Sequence, residues 1–202
     1  MRDHPRPRLG VLASGAGTLL EAILEHGLPV AVVVADRPCR ALEVATSAGV
    51  GAELVARHDF GPRFDRVAHT REVVAVLDAR GVDVVAMAGY GTVLAAPVFE
   101  RWPGRVLNTH PALLPAFKGW HAVRDALAAG ATETGCTVHV ATEAVDDGPV
   151  LAQEAVPVLA DDTEASLHER IKAVERRLYP ATIATFLSTV AAAVDEPNME
   201  RN

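Results

Sequence analysis

Short apolar runs alternate with helix-like stretches along the first half of this chain. The runs at Leu9–Ala13, Val30–Ala35 and residues 82–88 have the length of buried strands, and the helix-like stretches between them end at glycines. Parallel strands that are covered by helices on both faces show continuous apolar runs of this kind. The pattern therefore predicts an α/β protein with a doubly wound, mostly parallel, Rossmann-like sheet.

The second half of the chain follows a different pattern. Besides a short strand at residues 52–55 in the first half, strands are expected at residues 105–108, 137–140 and 150–158, and a short helix at 120–129. The last two strands follow one another without a long helix between them, which favours an antiparallel edge. A helix is expected over residues 163–179, and Pro180 is expected to separate it from another over 180–194.

Composition restricts the class of protein. Half of the 202 residues are hydrophobic, which predicts one domain over residues 1–202 with flexible ends at 1–8 and 196–202. The net charge of −7 is unfavourable for a nucleic-acid partner, and no apolar run approaches the roughly 18 residues of a membrane span. Cys39 and Cys136 lie far apart and outside any metal-type cluster. The sequence thus predicts no disulfide, no metal site and a cytoplasmic protein.

Asn108 and His110 come at the end of an apolar run and directly before Pro111. Residues i and i+2 of an extended chain point to the same side, so both side chains are expected to face one pocket. Pro111 has no N–H and ends the strand there. This pattern is typical of a catalytic pair, although a hydrogen-bonded core asparagine and a loop histidine fit it equally well.

A glycine-rich turn at residues 14–18 lies between the first strand and the first helix. Free N–H groups at a helix start, with little side-chain bulk, favour an anion such as phosphate. The turn matches neither the dinucleotide motif nor the Walker A motif, because the third glycine and the lysine are missing. A tight structural turn remains the alternative.

Three other polar groups are candidates, each with a structural alternative. Asp146 begins an Asp-Asp-Gly-Pro turn, where a carboxylate near His110 would favour a charged imidazole; a surface turn is the alternative. On the helix predicted at 163–179, Glu175 lies at the edge of the apolar face, although an ordinary solvated flank is as compatible. His139, within a strand, fits a hydrogen-bonded core residue better than a catalyst.

Taken together, these segments resemble the glycinamide ribonucleotide transformylase family of folate-dependent formyltransferases. The Asn-x-His-Pro-x-Leu-Leu-Pro block followed by Asp-x-Gly-Pro is specific to folate-dependent formyl transfer, though not to one substrate. The resemblance covers roughly residues 9–190 and rests on segments 12–18, 87–90, 105–115, 135–140, 146–149 and 175–180. It implies the formyltransferase fold.

The resemblance also implies roles for individual residues. Asn108, His110 and Asp146 match the catalytic trio. The ribonucleotide is expected to contact Gly15, Ala16, Gly17, Thr18, Leu19, Gly89, Pro111, Lys172 and Glu175. The folate is expected to contact Arg66, Tyr90, Gly91, Thr92, Val93, Leu94, Val140, Ala141, Thr142, Glu143, Ala144 and Val145, together with Asn108 and Asp146. No metal is implied.

The chain departs from the family pattern at positions beside these residues. Leu19 stands where many members have Asn, Gly91-Thr92 replaces a common Met-Arg pair, and Asp147 replaces a Gly. None of the departures touches the trio. They are therefore expected to affect how the phosphate or the pterin is held rather than the type of reaction.

The expected activity is transfer of the formyl group of 10-formyltetrahydrofolate to the amine of glycinamide ribonucleotide in purine biosynthesis. A homodimer is compatible with the resemblance. One alternative is a formyltetrahydrofolate hydrolase, which usually carries an added N-terminal regulatory domain that is not expected here. Another folate-dependent formyltransferase, acting on methionyl-tRNA, would need a basic C-terminal module. The alternative of a different class is a non-catalytic, phosphate-binding Rossmann-like module.

Overall fold

The computed structural model describes residues 7–195, which form a seven-stranded sheet between helical layers. The strands are β1 (Leu9–Ala13), β2 (Val30–Ala35), β3 (Gly51–Leu54), β4 (Val84–Met87), β5 (Val106–His110), β6 (Glu133–Val140) and β7 (Val150–Pro157). The helices are α1 (Thr18–Glu25), α2 (Arg40–Ser47), α3 (Arg66–Ala79), α4 (Ala96–Arg101), α5 (Ala122–Ala128) and α6 (Glu164–Asp195).

The strand order is β3-β2-β1-β4-β5-β6-β7. Strands β1 to β5 pair in parallel, while β6 pairs antiparallel with both β5 and β7. The predicted doubly wound, mostly parallel sheet with an antiparallel edge is confirmed.

Alternate residues of β1 belong to different cores on the two faces of the sheet, as the period of a strand requires. Leu9 and Val11 pack in a cluster with Ile23 of α1 and Ile183 of α6. Leu12 points to the opposite face, where it joins a cluster with residues of α3 and α4. These two apolar layers fix the ends of the strands and the loops that follow them.

The direction of winding reverses between β1 and β4, which are neighbours in the sheet. The chain runs from β1 outward to β2 and β3, and then returns to the other side of β1. In open α/β sheets, the loops on either side of such a reversal diverge and leave a crevice at the carboxyl ends of the strands. Ligands of this fold class bind there.

The expected break at Pro180 is wrong, because α6 continues through this proline to Asp195. A proline inside a helix loses one backbone hydrogen bond and crowds the preceding turn. Here Tyr179 and Ile183, one turn apart on either side of it, are both fully buried in the core, and the Tyr179 hydroxyl donates to the Leu107 carbonyl of β5 at 2.9 Å. Burial of this apolar face outweighs the lost hydrogen bond.

Several element boundaries also differ from expectation. Helix α4 was not expected, since it is only 6 residues long. Strand β6 begins at Glu133, because its antiparallel pairing with β7 extends past the apolar run. At the expected N-terminal tail, the Arg8 amide donates to an Asp83 carboxylate oxygen at 2.8 Å. Residues 1–6 and 196–202 of the expected tails lie outside the described residues.

Candidate active site

A cavity of about 570 Å³ lies beside the carboxyl ends of β1 and β4. Its walls also include the loops after β5 and β6 and one face of α6. Among the predicted site residues, those that line it are Gly15, Ala16, Gly17, Thr18, Leu19, Gly89, Tyr90, Thr92, Val93, Leu94, Asn108, His110, Pro111, Ala141, Thr142, Val145, Asp146, Lys172 and Glu175. The fold thus brings the two predicted ligand regions and the trio to one enclosed space.

His110 and Asp146 form a buried contact in the wall of this cavity. His110 Nδ1 lies 3.2 Å from Asp146 Oδ2, and the two residues are 4% and 8% exposed. His110 Nε2 lies 2.8 Å from the carbonyl oxygen of Phe117. Because a carbonyl oxygen only accepts, His110 Nε2 donates to Phe117, while Nδ1 faces the Asp146 carboxylate.

Asp146 is held in its charged form by its neighbours. Burial alone would raise the pKa of this carboxyl, but contacts with His139, the Gly119 N–H and the charge of His110 outweigh burial and lower the pKa. The Gly119 N–H donates to Asp146 Oδ2 at 2.9 Å. Asp146 has a φ of 53°, a left-handed conformation that Asp and Asn adopt more readily than most residues.

Asn108 pairs across the sheet with His139, which sequence analysis had placed in the core. The two residues are direct partners in the antiparallel β5–β6 register. The Asn108 amide nitrogen lies 3.3 Å from His139 Nε2, and that nitrogen lies 3.6 Å from Asp146 Oδ1. His139 therefore connects the amide and the carboxylate of the predicted trio, and it also lines the cavity.

The loop at residues 117–120 closes one side of the site. Its Phe117 carbonyl and Gly119 amide bind His110 and Asp146, respectively. The next residue, Trp120, lines the cavity with 75% of its side chain exposed. Trp102, in contrast, is 2% exposed and donates its indole N–H to the Val82 carbonyl. Of the two tryptophans, one is a core residue and the other belongs to the site.

The loop at residues 15–18 presents backbone rather than side-chain groups. Gly17 is the N-cap of α1 with a φ of 76°, and it makes no side-chain cap hydrogen bond within the described chain. The outer side of the loop is held by Arg40, which donates to the Ala16 carbonyl at 2.7 Å. The first N–H groups of α1 therefore have no side-chain cap, and the uncapped start of a helix favours an anion.

Glu175 and Lys172 extend from α6 towards the cavity. Burial raises the pKa of the Glu175 carboxyl, and this outweighs the opposing effects of the Thr109 hydroxyl and of Lys172. Lys172 Nζ contacts Glu169 at 2.9 Å on the same helix. Glu175 is therefore a partly desolvated carboxylate rather than a solvated flank residue. A hydrogen bond from a ligand would offset the free energy that this desolvation costs.

Some predicted folate contacts lie away from the cavity wall. Arg66 is exposed at the first position of α3, outside the lining. The remaining predicted residues outside the lining are Gly91, Val140, Glu143 and Ala144. Val140 is buried in the core, whereas Glu143 and Ala144 are exposed on the loop after β6. Most of these residues lie in the loops after β4 and β6, which do not keep a regular side-chain pattern, so only some residues of each predicted run reach the cavity.

Sequence analysis missed His139, Trp120 and His168 as cavity residues. His139 and Asn108 lie in strands whose antiparallel register is a tertiary fact, and no local pattern shows it. The position of His168 one turn before Lys172 and close to the same helical face was the available signal. Burial and the charge of Lys172 lower the pKa of His168.

The chain belongs to the formyl transferase family, whose N-terminal domain profile matches residues 8–183. It is 47% identical over 182 residues to a phosphoribosylglycinamide formyltransferase of Mycobacterium tuberculosis. The aligned region covers 88% of this chain and 83% of the relative. It is 36% identical to the human trifunctional purine biosynthetic protein adenosine-3, over 90% of this chain but 18% of that larger protein.

Solved structures agree with this assignment. The crystal structure of glycinamide ribonucleotide transformylase 1 from Symbiobacterium toebii matches with a TM-score of 0.86 and 43% identity, covering 94% of this chain and 92% of that one. The phosphoribosylglycinamide formyltransferase from Bacillus halodurans matches with a TM-score of 0.82 and 36% identity, covering 91% and 96%. The formyltransferase fold expected from the resemblance is confirmed.

Two further properties concern residues 7–195. Within this range, no helix combines the length and apolar character that a membrane span needs. In the same range, His, Cys, Asp and Glu side chains do not assemble in groups of three or more that could hold a metal ion.

Proposed function

We propose that this chain transfers the formyl group of 10-formyltetrahydrofolate to the amine of glycinamide ribonucleotide. The observation that carries the proposal is the buried His110–Asp146 pair beside Asn108, at the wall of one cavity, in a member of the formyl transferase family. Relatives named phosphoribosylglycinamide formyltransferase support the choice of substrate.

His110 and Asn108 would stabilise the oxygen of the tetrahedral intermediate. Attack of the amine on the formyl carbon moves negative charge onto the formyl oxygen, which then needs donors aimed at it. The His110 Nε2–H, which here bonds the Phe117 carbonyl, is one such donor, and the Asn108 amide is the other. The formyl oxygen would replace the Phe117 carbonyl as the acceptor.

Asp146 would keep His110 charged and move the proton. The attacking amine must lose a proton, and the departing folate nitrogen must gain one, so the reaction needs a relay but no net acid. An ionised carboxylate next to His110 and His139 suits this role, because both neighbours stabilise its charge. Its burial excludes bulk water, which would otherwise compete with the amine for the formyl group.

The ribonucleotide would lie along α1 and α6. Its phosphate would bind the backbone N–H groups of residues 15–19, with the Thr18 hydroxyl as an added donor. Glu175 and Lys172 would contact the ribose hydroxyls and the amine end, and Gly89 and Pro111 would line the path between. The partly desolvated Glu175 carboxylate and its position in the cavity support this orientation.

The folate would occupy the part of the cavity beside β4 and the loop after β6. Tyr90, Thr92, Val93 and Leu94 would contact the pterin from one side, and Ala141, Thr142 and Val145 from the other. Gly91, Val140, Glu143 and Ala144 would contribute backbone only, and exposed Arg66 would meet the charged tail of the folate. The largely apolar wall with few polar groups is typical of a site for a flat heterocycle.

The cellular setting follows from the same proposal. An enzyme that uses a reduced folate and carries cysteines without a disulfide suits the reducing cytoplasm. A homodimer is proposed as the assembly, and sedimentation velocity over a range of protein concentrations tests it.

A turnover assay with 10-formyltetrahydrofolate, with and without glycinamide ribonucleotide, tests the activity. The proposal expects deformylated folate and formylated ribonucleotide in equal amounts, and little folate consumption without the ribonucleotide. Consumption that is independent of the ribonucleotide would indicate the hydrolase. Phosphate binding without consumption of the folate would indicate the non-catalytic module.

A further inference from the structure

Asp36 is a fully buried carboxylate at the end of β2, outside the catalytic trio. The hydroxyl of Thr92 donates to it at 2.7 Å. The guanidinium of Arg37 donates to both of its oxygens, at 2.9 Å and 3.1 Å. A buried charge is kept only when hydrogen bonds replace its hydration, and Asp36 meets this condition through residues of two different strand ends.

Ser14 extends the network to a third strand end. The Gly91 N–H donates to the Ser14 hydroxyl oxygen at 2.6 Å. Burial alone would raise the pKa of Asp36, but hydrogen bonds from Arg37, Ser14 and Thr92 outweigh it and lower the pKa. The Ser14 hydroxyl accepts from Gly91, and the Asp36 carboxylate accepts from Thr92, so two hydrogen bonds tie the segment after β4 to the ends of β1 and β2.

The segment after β4 depends on such contacts for its position. Residues 88–95 have no helix or strand, so sheet and helix hydrogen bonds do not hold their backbone. At its two ends the segment is held by Ala88 N–H, which donates to the Leu12 carbonyl at 2.7 Å, and by Ala95 N–H, which donates to the Thr70 hydroxyl at 3.0 Å. Between them its ties are the contact of the Tyr90 hydroxyl with His69 Nε2 and the Gly91–Ser14 and Thr92–Asp36 hydrogen bonds. The same segment forms one wall of the cavity.

Gly91 belongs to this arrangement because of its size. A Cβ at position 91 would lie 2.8 Å from Arg37 Nη2 and 3.5 Å from an Asp36 carboxylate oxygen. A larger side chain would therefore push the guanidinium away from the carboxylate. Gly91 and Thr92 replace a common Met-Arg pair of the family. In this chain Gly91 leaves room for Arg37, and Thr92 donates to Asp36.

We infer that Asp36 is a positioning residue for the folate: through Thr92, and together with the neighbouring Ser14–Gly91 hydrogen bond, it fixes the wall segment at residues 90–94 against which the formyl donor packs. The inference rests on the proposed function for the identity of the ligand, but not for the ordering of the segment. Asp36 itself lies outside the cavity lining, so it acts through the residues that it binds.

The decisive variants remove one tie at a time. Thr92→Val keeps the shape of the side chain and deletes the hydroxyl, and a hydrogen bond to a charged group corresponds to roughly a tenfold or larger change in affinity. We expect the KM for 10-formyltetrahydrofolate to rise about tenfold, with kcat and the KM for the ribonucleotide changed less than about twofold. Thr92→Ser, which keeps the hydroxyl, should restore most of the loss.

Two further variants separate positioning from direct contact and from general damage. Ser14→Ala acts from outside the cavity lining and should raise the folate KM in the same direction. Thr134→Val is the matched control, because Thr134 is 1% exposed and its hydroxyl has no hydrogen-bond partner in the described chain. It should leave both KM values unchanged.

Hydrogen exchange of the ligand-free protein measures the ordering itself. The amides of residues 91–94 should exchange faster in Thr92→Val and Ser14→Ala than in wild type or Thr134→Val. Unchanged exchange together with an unchanged folate KM would overturn the inference, as would failure of Thr92→Ser to rescue. If the wild type forms no product, the proposed function fails, while the exchange rates still decide whether Asp36 orders this segment.

Discussion

The two halves of the cavity are built differently. At the centre, His110 and Asp146 are almost completely buried and are held by contacts to the Phe117 carbonyl, the Gly119 amide and His139. At the proposed phosphate end, residues 15, 16 and 18 are exposed, and the loop offers backbone N–H groups at the start of α1.

This difference separates two physical tasks. Stabilising charge that develops during a reaction needs donors that are already oriented and shielded from water, since reorientation at that moment costs activation energy. Anchoring a doubly charged phosphate needs only accessible donors and room for close approach. The comparison predicts that substitutions at the centre lower kcat, whereas substitutions in the loop raise KM.

The largest effect is expected at the centre. His110→Ala and Asp146→Asn should each lower kcat by about 100-fold or more, because each removes or misorients a transition-state donor. Asn is the suitable replacement at position 146, since it tolerates the φ of 53° found there. Steady-state kinetics measures the loss, and thermal unfolding checks the fold.

The neighbouring carboxylate provides the control for this prediction. Asp147 is exposed and binds Lys118 on the surface, so Asp147→Asn should keep nearly wild-type kcat. Near-normal turnover in Asp146→Asn would remove Asp146 from the mechanism. An equal loss in both variants would show that the effect is not specific to the buried carboxylate.

A substitution at Glu175 tests whether a partly buried carboxylate contributes to ribonucleotide binding without taking part in the reaction. Glu175→Gln should weaken ribonucleotide binding by about 10- to 150-fold, the value of a hydrogen bond to a charged group, and leave folate binding unchanged. Calorimetric titration of each ligand measures this. Glu164→Gln, at an exposed position of the same helix, is the control. Unchanged ribonucleotide affinity would exclude Glu175 from the site.

The same variant makes a prediction about pH. The folded state binds the Glu175 proton more tightly than the unfolded chain, because burial raises the pKa above its ordinary value of 4.5. The contribution of Glu175 to the free energy of unfolding is fully present below pH 4.5 and is lost as the pH rises through the raised pKa. Glu175→Gln should therefore be more stable than wild type at pH 7, and the difference should vanish near pH 4. Equal stability at pH 7 would contradict the desolvation of Glu175.

A smaller effect is expected in the phosphate loop. A Cβ at Gly15 meets nothing within 4 Å, so Gly15→Ala changes only the approach of a ligand. It should raise the KM for the ribonucleotide by several-fold, up to about tenfold, without changing the KM for the folate or the melting temperature.

Gly17→Val is the harsher comparison within this loop. It should also raise the KM for the ribonucleotide more than that for the folate. However, it places a branched residue at a φ of 76°, with its Cβ 3.0 Å from the backbone of Ala41, so it should destabilise the fold as well. If Gly15→Ala leaves the ribonucleotide KM unchanged, the phosphate does not approach this side of the loop.

The smallest effect concerns the rim. Trp120 is 75% exposed, so a folate that packs on it should shift the tryptophan emission to shorter wavelength. Trp120→Phe should weaken folate binding by a few-fold. Fluorescence titration measures both, and the buried Trp102 provides an internal reference. A shift that persists in Trp120→Phe would assign the signal to Trp102 and leave the rim without a ligand.

The sequence predicted the fold more completely than it predicted the site. The strands β1 and β2 were predicted at the observed boundaries, because buried parallel strands are continuous apolar runs that local composition reveals. The helix break at Pro180 was wrong, because the rule on proline is local and the burial of Tyr179 and Ile183 is not.

For the site, the local motifs predicted which residues are polar and conformationally special, but not which of them meet. Asn108, His110 and the turn at Asp146 stand out in the sequence as polar groups at strand ends and turns. His139 does not, because it enters the site through its register with Asn108. The network of Asp36 with Ser14 and Thr92 has no sequence pattern at all, since it joins three strand ends that are distant along the chain.

The sequence by itself determined the period of apolar residues, the turns and the candidate chemical groups, since these depend on neighbours along the chain. Only the tertiary structure decided that His110 lies between the Phe117 carbonyl and the Asp146 carboxylate, that Glu175 is desolvated, and that Asp36 orders a wall of the cavity. The physical reason is that protonation, desolvation and orientation depend on which groups approach through space, and the packing of the sheet against its helices alone brings those groups together.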